Sequence, residues 1–343
     1  MLRRSAIQLV VNSPGTLIKQ KNEIFLFQNK DNKLELSPLK LESIVISNQA
    51  MISTPAISLA LEHNIDIIFL DKYGFPMGRV WFAKMGSTAM IRRKQLEAVG
   101  DETGLSLVIG MIRQKLNNQI AFLKKLKYAR PDKKEKFEAP IHTIEGSLES
   151  LDEDWTDIEE SRSMIMGLEG AAGRAYFSCI AKLMPEKYIF KGRSRQPALN
   201  PFNAVLNYCY GVLYSRVEKA CILAGLDPFV GFMHTDNYNK KSMVFDLIEP
   251  FRIFADQVAV YFFTGKKAKD EYFDIQERSC TLNIKGKPQV IEALNKHLEE
   301  KVRYARRNVK RKHLISHEAH RLANILLEDS GMARPDWLKI KEF

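Results

Sequence analysis

Three segments of the chain set acidic or imidazole groups among residues that do not ordinarily surround them. In Gly167-Leu168-Glu169-Gly170-Ala171-Ala172-Gly173 a carboxylate stands among small residues, with three glycines in seven positions. Each glycine costs a helix about 1 kcal/mol relative to alanine. The stretch therefore either packs its backbone closely or leaves room for a ligand. A carboxylate in such surroundings is too costly to bury unpaired, so a cation or an arginine must lie near Glu169. In Gly225-Leu226-Asp227-Pro228-Phe229-Val230-Gly231-Phe232-Met233-His234 an imidazole ends an apolar run. Read plainly it is a core histidine; read chemically it is a ligand. In Ser242-Met243-Val244-Phe245-Asp246-Leu247-Ile248-Glu249-Pro250-Phe251-Arg252 the two acids share a face of a helical turn. Pro250 sets both near the N-terminus of the helix that follows it, where the helix dipole accounts for one acid more readily than for two. Glu169, His234, Asp246 and Glu249 together make a candidate carboxylate–imidazole metal site. Oxygen donors with one nitrogen suit Mg²⁺ or Mn²⁺ better than zinc.

Other groups point elsewhere. His313, His317 and His320 recur on one helical face, but His317-Glu318-Ala319-His320 is one residue short of H-E-x-x-H. That turns the second histidine about 100° off the face a metalloprotease needs. The chain has 52 Lys and Arg against 41 Asp and Glu, a formal net charge of +11, which fits a polyanion partner. Residues 145–160 hold eight acids and no base, most simply a solvated helix face, and residues 301–312 hold seven bases and no acid. Arg303, Arg306, Arg307 and Lys310 fall at three- and four-residue steps and predict a positive helical stripe for phosphates. Arg92 and Arg93, and Lys191, Arg193 and Arg195, are further candidate phosphate contacts. No glycine-rich phosphate loop, dinucleotide fingerprint or nucleophile elbow is present.

The elements that must position these groups fall into two regions. Apolar, β-branched runs at 7–11, 16–20, 23–28, 33–37, 43–47, 65–70 and 79–83, separated by turn residues, predict strands, with one short helix at 54–62. Such strands imply a β-sandwich-like N-terminal domain. From about residue 88 the period becomes helical. Helices are predicted over 104–129, 154–184, 201–224, 250–263 and 288–328, with Asn200-Pro201 and Gly225 as start and stop of the third. The fold class is α+β: residues 1–87 β-rich, with a boundary at Met85–Thr88, and residues 88–343 an all-α-helical domain that carries the candidate phosphate contacts. At 45% apolar and 27% charged residues, the chain is neither disordered nor membrane-spanning. Cys179, Cys209, Cys221 and Cys280 lack C-x-x-C spacing and suit reduced thiols in a cytoplasm, and the N-terminus lacks a signal-peptide pattern.

In order and spacing, GLEGAAGRAYF (167–177), NPFNAVLNYCYGVLYSRVEKACILAGLDPFVGFMH (200–234) and SMVFDLIEPFR (242–252) resemble the CRISPR-associated adaptation integrase family. This is the larger of the two proteins that insert new spacers into CRISPR arrays. The resemblance covers nearly the whole chain and implies a β-rich domain followed by a larger helical one. It implies Glu169, His234 and Glu249 as ligands of Mg²⁺ or Mn²⁺, with Asp246 as a supporting or alternative ligand. Some members carry Asp where this chain has Glu249. Residues 235–241 depart from the short glycine-containing turn of many members. The implied activity is metal-dependent DNA cleavage and transesterification on double-stranded and branched DNA. The implied partners are a second copy of the chain and a small ferredoxin-like adaptation protein. Two other readings use the same residues: a metal-dependent nuclease of branched DNA in repair, and a catalytically silent DNA-binding scaffold. In the scaffold, the carboxylates pair with Arg174 or Arg252 instead of metal.

Overall fold

The computed structural model describes residues 7–30, 32–71, 73–74, 76–80, 89–152, 155, 158–234, 240–304 and 307–327. The N-terminal runs form β1 (Ile7–Val11), β2 (Thr16–Lys21), β3 (Ile24–Gln28), β4 (Lys33–Leu36), β5 (Leu41–Ile46), β6 (Ala50–Ile52), α1 (Thr54–Glu62), β7 (Asp66–Leu70) and β8 (Pro76–Val80). They make two four-stranded sheets, ordered β1-β5-β7-β8 and β4-β3-β2-β6. Both are mixed. β5 is parallel to β1 and β7, while β8 is antiparallel to β7; β2 is antiparallel to β3 and parallel to β6. The continuous apolar text of β5 and β7 suits strands buried on both faces, as Ile44, Val45, Ile67 and Ile68 are. Asn22 takes φ 54° in the tight β2–β3 turn, a conformation asparagine tolerates. Ile18, Phe25, Ile44, Ala56, Ala60 and Ile67 share one core, so both sheets and α1 are held by the same apolar cluster.

The helical region begins with α2 (Ala89–Ala98), α3 (Glu102–Tyr128), α4 (Glu135–Glu149), α5 (Ile158–Leu183), α6 (Pro201–Leu223), α7 (Ser242–Ile248) and α8 (Arg252–Thr264). Asp101 caps α3, accepting from Thr103 N at 2.8 Å and Gly104 N at 3.1 Å. α3 turns its apolar face to α4 and α5. Asn200 caps α6 through Asn203 N at 2.9 Å, and the helix stops at Gly225, which takes φ 85°. The two acids do not both stand at the N-terminus of the helix after Pro250: Asp246 lies within α7, and Glu249 heads a 3₁₀ turn, Glu249–Phe251, that leads into α8.

The last third corrects the all-helical reading. It contains β9 (Phe273–Gln276), β10 (Ser279–Leu282), α9 (Gly286–Glu299), β11 (Lys301–Tyr304), β12 (Arg307–Lys310) and α10 (Arg311–Leu327). β9–β10 and β11–β12 are antiparallel hairpins. Lys301-Val302-Arg303-Tyr304 alternates polar with apolar residues, and that two-residue period prevails over the helical spacing of the basic residues. The predicted stripe is thus a hairpin followed by a helix.

The chain divides into two compact units. One comprises 1–84 with 195–215 and 268–295; the other comprises 85–194, 216–267 and 296–343. The first unit therefore draws in two later segments that a single division at 87/88 leaves out, and the expected boundary at Met85–Thr88 lies outside the described residues.

Candidate active site

Glu169 lies on α5, and its glycine neighbours face space. A Cβ at Gly167 would meet nothing within 4 Å, and one at Gly170 would meet only Arg174 Nη1 at 3.4 Å. Close backbone packing is therefore not what these glycines serve; they leave room beside the carboxylate. The cation that Glu169 requires is Lys115 of α3, whose ammonium bonds Glu169 Oε1 and lies 2.6 Å from Glu249 Oε2. Only 7% of the Lys115 side chain and 5% of the Glu249 side chain are exposed. Arg252 closes on the other oxygen of Glu249, with Nε at 2.9 Å and Nη2 at 2.8 Å from Oε1. Burial works against both charges. At Lys115 the attraction of Glu249 and Glu169 outweighs burial and keeps the ammonium charged. At Glu249 the charges of Arg252 and Lys115 outweigh burial and hold the carboxyl well below the usual range. The turn carrying Glu249 is tied to α3 by Asn118 Nδ2, which donates to the Pro250 carbonyl at 2.8 Å.

His234 is positioned by α7. Asp246 Oδ2 accepts from Phe232 N at 2.6 Å and Met233 N at 2.9 Å; Oδ1 accepts from His234 N at 3.2 Å and lies 2.6 Å from His234 Nδ1. Gly231 makes this approach possible, because a Cβ there would lie 2.7 Å from the Ser242 Cβ and 2.9 Å from Asp246 Oδ2. Gln95 of α2 holds the same loop further back, donating to the Asp227 and Val230 carbonyls at 3.0 and 2.6 Å and accepting from Asp227 N at 2.8 Å. Buried Arg162 donates to the Phe232 carbonyl at 2.8 Å. Burial pulls the His234 pKa down, but the hydrogen bond and charge of Asp246, with the charge of Glu249, prevail over burial and Arg252 and leave it above 6.5.

The structure thus brings Glu169, Glu249, His234 and Asp246 into one electrostatic neighbourhood within the second unit. Two carboxylates converge on one cation. Asp246 is saturated by backbone and ring donors, which makes it an orienting group for His234. With Nδ1–H given to Asp246, the Nε2 of neutral His234 keeps a lone pair for a ligand. Two carboxylates and an imidazole are the donor types that hold Mg²⁺ or Mn²⁺, and Glu249 Oε2 is a buried oxygen that faces the Lys115 ammonium. The residues fit such an ion by chemistry, although among the described residues no three such side chains already converge in ligating arrangement. The Arg252–Glu249 pair is the one the scaffold reading expects.

The basic candidates are more scattered. Arg93, Lys191, Arg195, Arg303 and Arg307 are exposed, and Arg92, Arg193 and Lys310 are half-buried. Lys310 pairs with Glu299 at 2.6 Å, and Arg193 donates to the Ser194 carbonyl. Arg306, residues 235–239 of the departing loop, and Glu153, Asp154 and Asp157 of the acidic run lie outside the described residues. His313, His317 and His320 stand exposed on α10. The residues missed from sequence are Lys115, Gln95, Asn118 and Arg162. The available signal was polar side chains inside an apolar stripe: Gln114, Lys115, Asn118 and Gln119 are all buried on α3.

A family model for CRISPR associated protein Cas1 matches residues 9–296, so β11, β12 and α10 lie beyond the matched region. A CRISPR-associated endonuclease Cas1 of Archaeoglobus fulgidus is 32% identical over 322 residues, covering 88% of this chain and 91% of that protein. Among solved structures, a casposase bound to integration product has a TM-score of 0.82 at 21% identity, covering 95% of this chain and 92% of that one. A Cas6-RT-Cas1–Cas2 complex gives 0.78 at 20% identity, covering 95% of this chain and 35% of the other. These structural likenesses bear on the fold. No helix among the described residues is long and apolar enough to cross a membrane. The model match takes in all three segments that build the site, and with the identity to the Archaeoglobus protein it decides the relationship: the chain belongs to the CRISPR-associated Cas1 family.

Proposed function

We propose that the protein is a divalent-metal-dependent DNA endonuclease and integrase that inserts new spacers into a CRISPR array by transesterification at the repeat ends. The observation that carries this reading is the convergence of Glu169 and Glu249 on one cation, beside a histidine held by Asp246, in a chain of the Cas1 family. Bound at this site, Mg²⁺ or Mn²⁺ would lower the pKa of an attacking hydroxyl and shield charge growing on the phosphate. Glu169 and Glu249 would hold the ion through oxygen and His234 through Nε2. Asp246 fixes the ring tautomer, and Lys115 competes with the metal for the two carboxylates. The 3′-hydroxyl of an incoming DNA end would attack a phosphodiester; water in its place would give hydrolysis.

The name of the Archaeoglobus relative supports the nuclease activity, and the casposase and Cas1–Cas2 titles support DNA and a Cas2-type partner. In this reading two copies of the chain pair around a small ferredoxin-like protein in a prokaryotic cytoplasm, with the N-terminal sheets serving assembly. Arg92, Arg93, Lys191, Arg193, Arg195, Arg303, Arg306, Arg307 and Lys310 supply phosphate contacts on double-stranded and branched DNA. The Arg252–Glu249 pair favours a second reading, a DNA-binding scaffold whose carboxylates serve only the fold. The two separate in one experiment. A branched DNA with a free 3′-hydroxyl flap is incubated with Mn²⁺ or EDTA, using the wild-type chain and Glu169→Ala. Strand joining and cleavage should require Mn²⁺ and fall at least 100-fold in the variant, while DNA affinity stays within about threefold, because a positioned metal contributes several kcal/mol to the transition state. Equal rates in the variant would remove Glu169 from the chemistry.

A further inference from the structure

The three candidate ligands come from three places in the second unit, and each pair of them is tied by a different group. Glu169 of α5 and Glu249 of the turn after α7 share the Lys115 ammonium. Glu249 and His234 are tied through Asp246, three residues before Glu249, which takes the amides of 232–234 and faces the ring. The third side of this triangle joins His234 to Glu169, and it runs through Arg162. Arg162 and Glu169 both stand on α5. Seven residues make close to two helical turns, so the two share a face about 10 Å apart along the axis. Arg162 is buried, and its Nε donates to the Phe232 carbonyl at 2.8 Å while its Nη2 donates to the Val99 carbonyl, between α2 and α3. Neither carbonyl belongs to a helix or strand, so each needs a donor from elsewhere. A guanidinium presents several N–H groups in one rigid fork and serves both carbonyls at once, which a point ammonium does not.

Phe232 is where the two anchors of the loop meet. Its N–H is taken by Asp246 of α7 at 2.6 Å and its carbonyl by Arg162 of α5. Its buried ring lies against the head of α3: a Cβ at Gly104 would stand 3.3 Å from Phe232 Cδ1 and collide with the Ala98 carbonyl. With Phe232 fixed at both backbone polar atoms, His234, two residues on, is referenced to α5 as well as to α7. The three links differ in what they are made of. Lys115 uses the same carboxylates that would hold an ion, so its link is given up when the site is loaded. Asp246 refers the ring only to the turn that carries Glu249. The Arg162 link is built entirely from groups outside the candidate ligand set, so it holds whatever occupies the site.

We propose that Arg162 is a positioning residue for His234: through the Phe232 carbonyl it holds the imidazole at a set separation from Glu169, so that both reach one divalent ion. The proposal rests on the metal-dependent reading above and deepens it. Mn²⁺ is the probe. The readouts are its affinity and the coupling of a ligating imidazole nitrogen to its electron spin, and neither needs DNA or turnover. Arg162→Gln keeps an N–H donor at the place of Nε, whereas Arg162→Met puts a methyl there. Both lose the bond to Val99, so the difference between them reads the Phe232 bond alone. Wild type and Arg162→Gln should show the nitrogen coupling, with affinities within about threefold of each other. Arg162→Met should lose the coupling and bind Mn²⁺ about tenfold more weakly, the scale on which partners of metal ligands act. Should Arg162→Met not fold, Arg162→Lys takes its place: it keeps the charge, sets its donor one atom beyond the Nε position, and should show a reduced coupling. A coupling equal to wild type in the Met variant, or in the Lys variant used in its stead, overturns the proposal, as does equal loss in the Gln and Met variants. Saturable uptake by the wild type without nitrogen coupling removes His234 from the ligands and overturns the proposal while leaving a carboxylate ion site. No saturable uptake by the wild type overturns the metal reading and the proposal with it.

Discussion

Lys115 is the residue on which the electrostatics of the site turn. Its ammonium lies between half-buried Glu169 and buried Glu249, and among the described residues only Arg252 otherwise compensates Glu249. Replacing Lys115 with Met keeps the side-chain length and removes the charge. Breaking a buried pair on one side costs about 3–5 kcal/mol, so metal-free Lys115→Met should lose stability of that order at pH 7 in chemical denaturation. Mn²⁺ should recover more of this loss in the variant than it adds to the wild type, because the ammonium no longer competes for the carboxylates. The pH dependence follows from Glu249. Its folded pKa lies below its ordinary 4.5, so the contribution is fully present above that value and is lost as pH falls below it. The wild type should therefore destabilise below about pH 4.5 more steeply than the variant. Unchanged stability in Lys115→Met would mean that the bridge contributes nothing to the fold. No motif marks Lys115 in the sequence. It is a lysine inside an apolar helical stripe, and only the partner of Glu169 on another helix explains it.

At the scale of elements, the candidate site depends on how closely α7 approaches the loop ahead of His234. Gly231→Ala puts a methyl within 2.7 Å of the Ser242 side chain and 2.9 Å of the Asp246 carboxylate. Neither can yield without loosening the bonds to the backbone of 232–234, so overpacking should cost about 1–3 kcal/mol and lower strand transfer at least tenfold. Gly167→Ala is the contrast. Its methyl meets nothing within 4 Å, so it should stabilise α5 by up to about 1 kcal/mol. If both variants melt like the wild type, the close approach has no mechanical role. Local signals made much of this architecture legible. The strand runs, the capped α1 at 54–62 and the Asn200-Pro201 to Gly225 limits of α6 are written in neighbouring residues. β6, at three residues, is too short to leave a local pattern, and Pro140 interrupts the pattern of α4. In 301–310 the basic residues are spaced for a helix and also alternate as in a strand, so their spacing alone does not choose the element. The acids and the histidine of the site stand out by their surroundings. The role of Asp246 does not, because it depends on three backbone amides that converge only when α7 packs.

Over the whole molecule the sequence carries a net charge of +11, and among the described residues Glu299 is shared by Lys310 and Lys312. A positive balance of this kind favours a polyanion partner and says nothing of chemistry. The chemistry depends on whether carboxylates from α5 and from the turn after α7, with an imidazole from the loop between α6 and α7, take up a divalent ion. Titrating Mn²⁺ into the metal-free chain, followed by calorimetry and the EPR signal of free Mn²⁺, asks this without DNA or a partner protein. The account predicts one saturable site per chain, weakened at least tenfold in Glu169→Gln and in Glu249→Gln. Uptake should strengthen as pH rises through the raised pKa of His234, since the neutral ring is the ligand. Absence of saturable uptake, or the same affinity in both variants, would contradict it.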